Sequence, residues 1–261
     1  MLKILRPDNL SIILLLFVRM TSFFMVAPMF GRRNVPLIVK IGFSIFLTVV
    51  LYNTIDSSDI IKEDNIYYYT FLIFKEIIVG LILGFVSFAM FTAIYVAGQL
   101  IDMQIGFGVV NVIDPISSMQ VPITSNLYFI FTMVVFLALK GHHLLIKALL
   151  MSYQYIPLGS SSFDDNLIND IVRIFGNIFI LGFKIAAPVT ASVLIADIAL
   201  GVISRTIPQF NVFIVGMPLK IALGITLMLI TIPMFIDIIT TLFSEIDKEM
   251  LILIKGMMDG S

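Results

Sequence analysis

The sequence predicts an all-α integral membrane protein of about six long, kinked apolar helices arranged in hairpins. Hydrophobic residues make up 59% of the 261 and charged residues only 13%, about half the charged share of an ordinary soluble domain. Mean hydropathy is +1.08, so the chain lacks the polar surface that would dissolve it. Apolar runs also recur at the ~20-residue length that crosses a hydrocarbon core, separated by polar or Gly/Pro-marked connections.

The first run, Asn9–Phe30, follows Lys3 and Arg6. Arg19 interrupts it and no small-residue cleavage site follows, so it reads as a retained helix rather than a leader. A basic turn, Gly31–Pro36, leads to the second run, Val35–Asn53, and the polar Asp56–Asn65 separates that from the third, Phe71–Ala97. Lys75 and Glu76, near the start of the third run, read as marking the membrane interface.

The stretch Gly98–Pro122 then breaks the pattern. Gly98, Gly106, Gly108, Pro115 and Pro122 are punctuators of regular structure, yet Phe107–Ile113 between them is apolar. Non-helical apolar backbone beside membrane helices persists only where protein covers it or where it lines a cavity. Either it packs as a buried turn or it occupies an opening.

A fourth run, Thr124–Met151, precedes the most soluble-looking part of the chain, Pro157–Asn169, which marks a boundary. The fifth and sixth runs are Val172–Ile203 and Val212–Phe243. Pro28, Pro188 and Pro233 lie within or at the ends of runs, where each removes a backbone hydrogen bond and favours a kink. Beyond Phe243 the chain is amphipathic and reads as an interfacial or partner-binding helix.

Candidate chemistry is sparse. A net charge of −1 gives no footprint for nucleic acid, and zero cysteines remove thiolate sites and thiol nucleophiles. His142 and His143 are adjacent, point about 100° apart on a helix and lack a third ligand. No nucleotide loop, nucleophile elbow or zinc motif is present, so neither an enzyme nor a cofactor is expected. Asp102, Asp197 and Lys184 sit in apolar surroundings, where a charge must pair, snorkel or face water. Asp197, Gly201, Ser204 and Arg205 form one polar stripe at helical spacing, read as a subunit contact or a pathway face. Gly80 with Gly84, Ala93 with Ala97, and Gly182 with Ala186 are small-residue faces that let helices approach closely in lipid.

Several motifs together resemble the family of flagellar biosynthetic protein FliR and its type III secretion counterpart. They are Gly98-x3-Asp102, Gly106-Phe-Gly108, Asp114-Pro115, Gly141-His-His, Ser204-Arg-x2-Pro-Gln-x-Asn211 and Gly216-x-Pro218-x-Lys220. The resemblance covers essentially the whole chain. It implies a subunit of the type III protein export gate in the bacterial inner membrane, within the flagellar basal body, that passes unfolded proteins. It implies partners: P-like and Q-like gate subunits, the B switch subunit, the exported proteins and membrane lipid. It also implies a P-like part over 1–170, a Q-like hairpin over 171–245 and an amphipathic tail over 246–261. In the family the loop after the third helix plugs the closed pore. Here that loop is 106–119, with Gly106, Phe107, Gly108, Val109, Val110, Val112, Ile113 and Met119 as its residues. Asp102, Asp197, Ser204, Arg205, Gln209, Asn211 and Lys220 are then subunit contacts or pathway residues. His143 departs from the family's single histidine after the glycine and inherits no role. The rival reading is a stand-alone secondary transporter with an intramembrane Asp/Arg site for substrate or protons.

Overall fold

A computed structural model describes residues 7–31, 35–52, 66–107, 122–207 and 212–258. They form helices α1 (Pro7–Val26), α2 (Leu37–Tyr52), α3 (Ile66–Ile105), α4 (Ile123–Ala138), α5 (Gly141–Tyr155), α6 (Asp165–Thr206) and α7 (Val212–Gly256), and no strand. The all-α membrane class expected from composition is the one observed.

The helices differ from the expected runs where side-chain packing overrides local punctuation. α3 continues through Gly98 and Asp102, two turns beyond its expected end. The fourth run is two helices, because Lys140 adopts a left-handed conformation at φ 57°. α6 and α7 run to 42 and 45 residues, passing through Pro188, Pro218 and Pro233. At 1.5 Å per residue each is roughly 65 Å long, about twice the hydrocarbon thickness. α3, α6 and α7 are long and apolar enough to cross a membrane, and α4 with α5 would make a fourth, broken span. Leu10–Val26 and Leu37–Tyr52 are shorter apolar helices, so the described residues hold three, or with the bent pair four, helices of full spanning length beside these two.

The chain divides into two compact units. The first comprises residues 1–89, 140–174 and 244–261. Its core holds Leu16, Met20 and Phe23 of α1, Val79 and Leu83 of α3, and Leu145 of α5. α1 and α3 approach closely: a Cβ at Gly80 would meet the Arg19 carbonyl and Ser22, and one at Gly84 would meet Val26. The small-residue face expected there is therefore used.

The boundary stretch belongs to this unit and is held rather than free. A turn closes from the Ser160 N–H to the Pro157 carbonyl at 3.1 Å, with Gly159 at φ 80° in its third position, a conformation that favours glycine. Ser162 donates its N–H to the Met257 carbonyl and its hydroxyl to the Met258 carbonyl. Met250, Leu253 and Ile254 are buried, and Glu249 pairs with Arg173 at 2.8 Å. Several of the tail's apolar residues are thus covered within the chain, while Ile252 stays exposed.

The second unit comprises residues 90–139 and 175–243. Phe91, Phe136 and Phe243 form its aromatic centre, with ring centroids 5.0 to 6.0 Å apart. α3 and α6 cross at Gly182, where a Cβ would meet Val96 and the Ala93 carbonyl within 2.9 to 3.0 Å.

Candidate functional site

The end of α3 and the start of α4 bracket the punctuated stretch. α3 stops because Gly106 takes φ 100°. Its N–H and that of Phe107 both bond to the Asp102 carbonyl, at 3.2 and 3.0 Å, the arrangement of a glycine-terminated helix. α4 starts after Pro122, which has no N–H to satisfy. The next helical residues have donors without intrahelical acceptors. Thr124 gives its N–H to the Asp102 carboxylate, 3.0 and 3.2 Å from the two oxygens. Asp102 and Thr124 are both buried.

A second tie lies two turns back along α3. The Ser125 hydroxyl donates to the Tyr95 carbonyl at 2.9 Å. Gly98 lies so close to the Ser125 backbone that any Cβ would overlap it. Gly98 is therefore a packing glycine inside α3, not a breaker.

Beside this junction, between α4 and α7, lies a cavity of about 440 Å³. Phe107, Ile123, Leu127, Tyr128, Met228 and Phe235 are among its lining residues. Tyr128 and Phe235 stack with centroids 4.3 Å apart. Apolar walls of this kind hold hydrocarbon side chains and do no acid–base chemistry.

Of the expected plug residues, Gly106 and Phe107 stand at the junction and cavity. Gly108, Val109, Val110, Val112, Ile113 and Met119 lie outside the described residues, as do Gln209 and Asn211. Asp197 and Lys220 are brought together as an ion pair across α6 and α7, and Gln104 donates to Asp197 at 3.4 Å. Ser204 bonds only locally, to the Gly201 carbonyl, and Arg205 is exposed. The polar stripe thus engages a partner helix at Asp197. Asp102 belongs to the α3–α4 junction, with both oxygens on one backbone N–H.

Sequence reasoning missed the principal polar node of the first unit. Glu76 lies ten residues inside α3, fully buried against Arg19. The signal was present in Arg19, a cation in an apolar run with no acid within two turns of it on its own helix, which requires a carboxylate from elsewhere. His142 and His143 touch edge to face. No group of three or more metal-ligating side chains stands together among the described residues.

The fold defines an all-α membrane protein, and its relatives define it further. Residues 10–246 match the family described as Bacterial export proteins, family 1. The flagellar biosynthetic protein FliR of Bacillus subtilis is 38% identical over 91% of this chain and 92% of that protein. Those of Escherichia coli and Aquifex aeolicus are each 28% identical, over 87% and 94% of this chain and 87% and 95% of theirs. The chain belongs to the family of bacterial export proteins, family 1, and is a membrane component of a flagellar, type III export apparatus.

Proposed function

We propose that the chain is a subunit of the export gate in the bacterial inner membrane, passing unfolded flagellar proteins through a pore that the 106–119 loop closes. Residues 1–170 serve as the P-like part that carries this loop, 171–245 as a Q-like hairpin, and 246–261 as the amphipathic tail. P-like and Q-like subunits and the B switch subunit complete the gate, and energy for transport comes from elsewhere. The observation that carries this reading is the α3–α4 junction. Its two strands of backbone emerge side by side, held by Asp102, next to an apolar cavity. A segment anchored at both ends with the apolar sequence Val109–Ile113 suits a displaceable filling.

The transporter alternative needs free intramembrane charges at one place. Asp102 is consumed by the helix start and Asp197 by Lys220, so the gate is the better reading. Burying a Phe or Val side chain contributes roughly 1.5–3 kcal/mol, and several such contacts shift a closed-to-open ratio by decades. Deleting Gly106–Met119 is expected to leave assembly intact and make cells carrying the complete gate leak ions and small solutes. Flux and complex abundance are measured together. A well-assembled gate that stays tight without the loop would falsify the plug.

A further inference from the structure

We propose that the groove between α3 and α6 binds an anionic phospholipid, with Lys184 holding the phosphate. The site does not depend on how the pore closes. The groove has a volume of about 700 Å³, within the range of clefts that hold small ligands. Leu100 and Met103 of α3 and Phe179 and Phe183 of α6 are among its walls, and Gln99 and Lys184 supply its polar groups. Lys184 is exposed and makes no ion pair or hydrogen bond among the described residues. A lone cation deep in hydrocarbon is costly, whereas at headgroup level it is solvated and can meet phosphate. α6 is about twice as long as the hydrocarbon is thick, so a headgroup level falls near its middle, where Lys184 stands. The next cation, Arg205, is exposed and lies 21 residues on, roughly 30 Å and one hydrocarbon thickness away. Between them the one charge is Asp197, which Lys220 neutralises. α3 runs beside α6 in the same direction: Gly182 meets Ala93 and Val96, and Gln104 reaches Asp197. Leu100 and Met103 therefore lie on the hydrocarbon side of Lys184, along the path of an acyl chain leaving its phosphate. A cation beside an apolar trough between membrane helices is the chemistry that selects anionic lipids. A carboxylate on another subunit's helix would also meet Lys184, but it leaves the bilayer-length spacing to Arg205 without a reason.

The test uses the full chain in phosphatidylcholine nanodiscs, with phosphatidylglycerol added as the probe, read by thermal unfolding and by native mass spectrometry of retained lipid. The parent is expected to retain phosphatidylglycerol and to unfold at a higher temperature as its fraction rises. Lys184→Met is expected to match the parent in pure phosphatidylcholine, to lose that rise and to bind phosphatidylglycerol roughly fivefold more weakly. Lys184→Arg keeps the charge and is expected to bind as the parent does. Lys255→Met removes an exposed lysine elsewhere and is expected to be silent, which separates a site from net charge. Inorganic phosphate is expected not to displace the lipid, because it leaves the trough empty; displacement would make this an anion site and overturn the lipid. Equal retention by the parent and Lys184→Met, or an equal loss in Lys255→Met, also overturns the proposal. So does a Lys184→Met chain that keeps its phosphatidylglycerol but no longer co-purifies with other subunits, which would give Lys184 to a partner's carboxylate. If Lys184→Met does not accumulate, Met103→Gln decides, since it places an amide in the path of the acyl chain and leaves the charge. Weaker retention of phosphatidylglycerol by Met103→Gln supports the site, and unchanged retention overturns it.

Discussion

Arg19 and Glu76 face each other as a forked pair with no solvent contact on either side chain. Nη2 of Arg19 lies 3.0 Å from Oε1 of Glu76, and Nε bonds to Oε2. The remaining hydrogen-bonding capacity is used as well. Arg19 donates to the carbonyls of Ser152 and Ile156, and the Gly159 N–H donates to Glu76 at 2.9 Å. The guanidinium lies 4.4 Å from the centroid of the Tyr153 ring, whose hydroxyl bonds to the Leu16 carbonyl. Removing one partner strands a buried charge, which costs about 3–5 kcal/mol. Glu76→Leu or Arg19→Met alone is expected to abolish accumulation in the membrane. The double change Arg19→Met with Glu76→Leu is expected to recover part of the loss. Membrane abundance and thermal unfolding in detergent measure both, and a double variant worse than either single change would count against the pair as the cause.

The break between α4 and α5 places Lys140, not the adjacent Gly141, in the left-handed region. Gly141 is buried as the first residue of α5, so its small size serves packing. A non-glycine residue with positive φ is strained by roughly 1 kcal/mol or more. Lys140→Gly is therefore expected to raise the unfolding midpoint, and Lys140→Val to lower it. Equal midpoints for all three would show that the turn relaxes freely.

Glycines divide by what a side chain would meet. At Gly182 a Cβ collides with the Ala93 carbonyl and Val96, so Gly182→Leu is expected to destabilise the chain by several kcal/mol through forced separation of packed helices. At Gly176 and Gly201 a Cβ meets nothing. Alanine there is expected to be neutral or to stabilise the isolated chain by up to about 1 kcal/mol, through helix propensity. If Gly176→Ala or Gly201→Ala leaves the isolated chain sound yet lowers incorporation into the export apparatus, that face packs against another subunit. Midpoints of the free chain and co-purification yields separate the two effects.

Asp197 and Lys220 are about a quarter to a third exposed. In detergent the pair is therefore expected to contribute no more than about 1 kcal/mol. In a bilayer, a charge left alone on an apolar helix costs about 3 kcal/mol. Lys220→Met is expected to reduce stability more in lipid nanodiscs than in detergent, and Asp197→Leu with Lys220→Met to restore it. An equal effect in both media would mean that the pair faces water.

The membrane class and the approximate helix positions were legible because apolar runs of spanning length leave few alternatives. The helix ends were less legible, and Gly98 and Gly106 illustrate why. Both read as breakers, but one stands mid-helix so that Ser125 can approach, and the other ends the helix at φ 100°. Only the neighbour across the contact distinguishes them. The same holds for charge. Asp102 and Glu76 stand out in the sequence as acids in apolar surroundings, yet their roles depend on the Thr124 amide and on Arg19, which lie 22 and 57 residues away. The stripe of Asp197 was visible from periodicity, whereas its engagement with Lys220 required the packing of α6 on α7.

The bonds from Ser162 to Met257 and Met258 bear on the order of events at the ribosome. They join positions up to 96 residues apart, within a unit drawn from an early, a middle and a late part of the chain. Domains commonly acquire structure as units while synthesis proceeds, but this unit cannot close until its last segment, 244–258, has emerged. Residues 90–139 and 175–243 are all made before then, so the unit that begins first is the one that finishes last. Until that moment Ser162 awaits the carbonyls of Met257 and Met258. Synthesis of α6 and most of α7 must therefore precede completion of the unit to which α1 belongs.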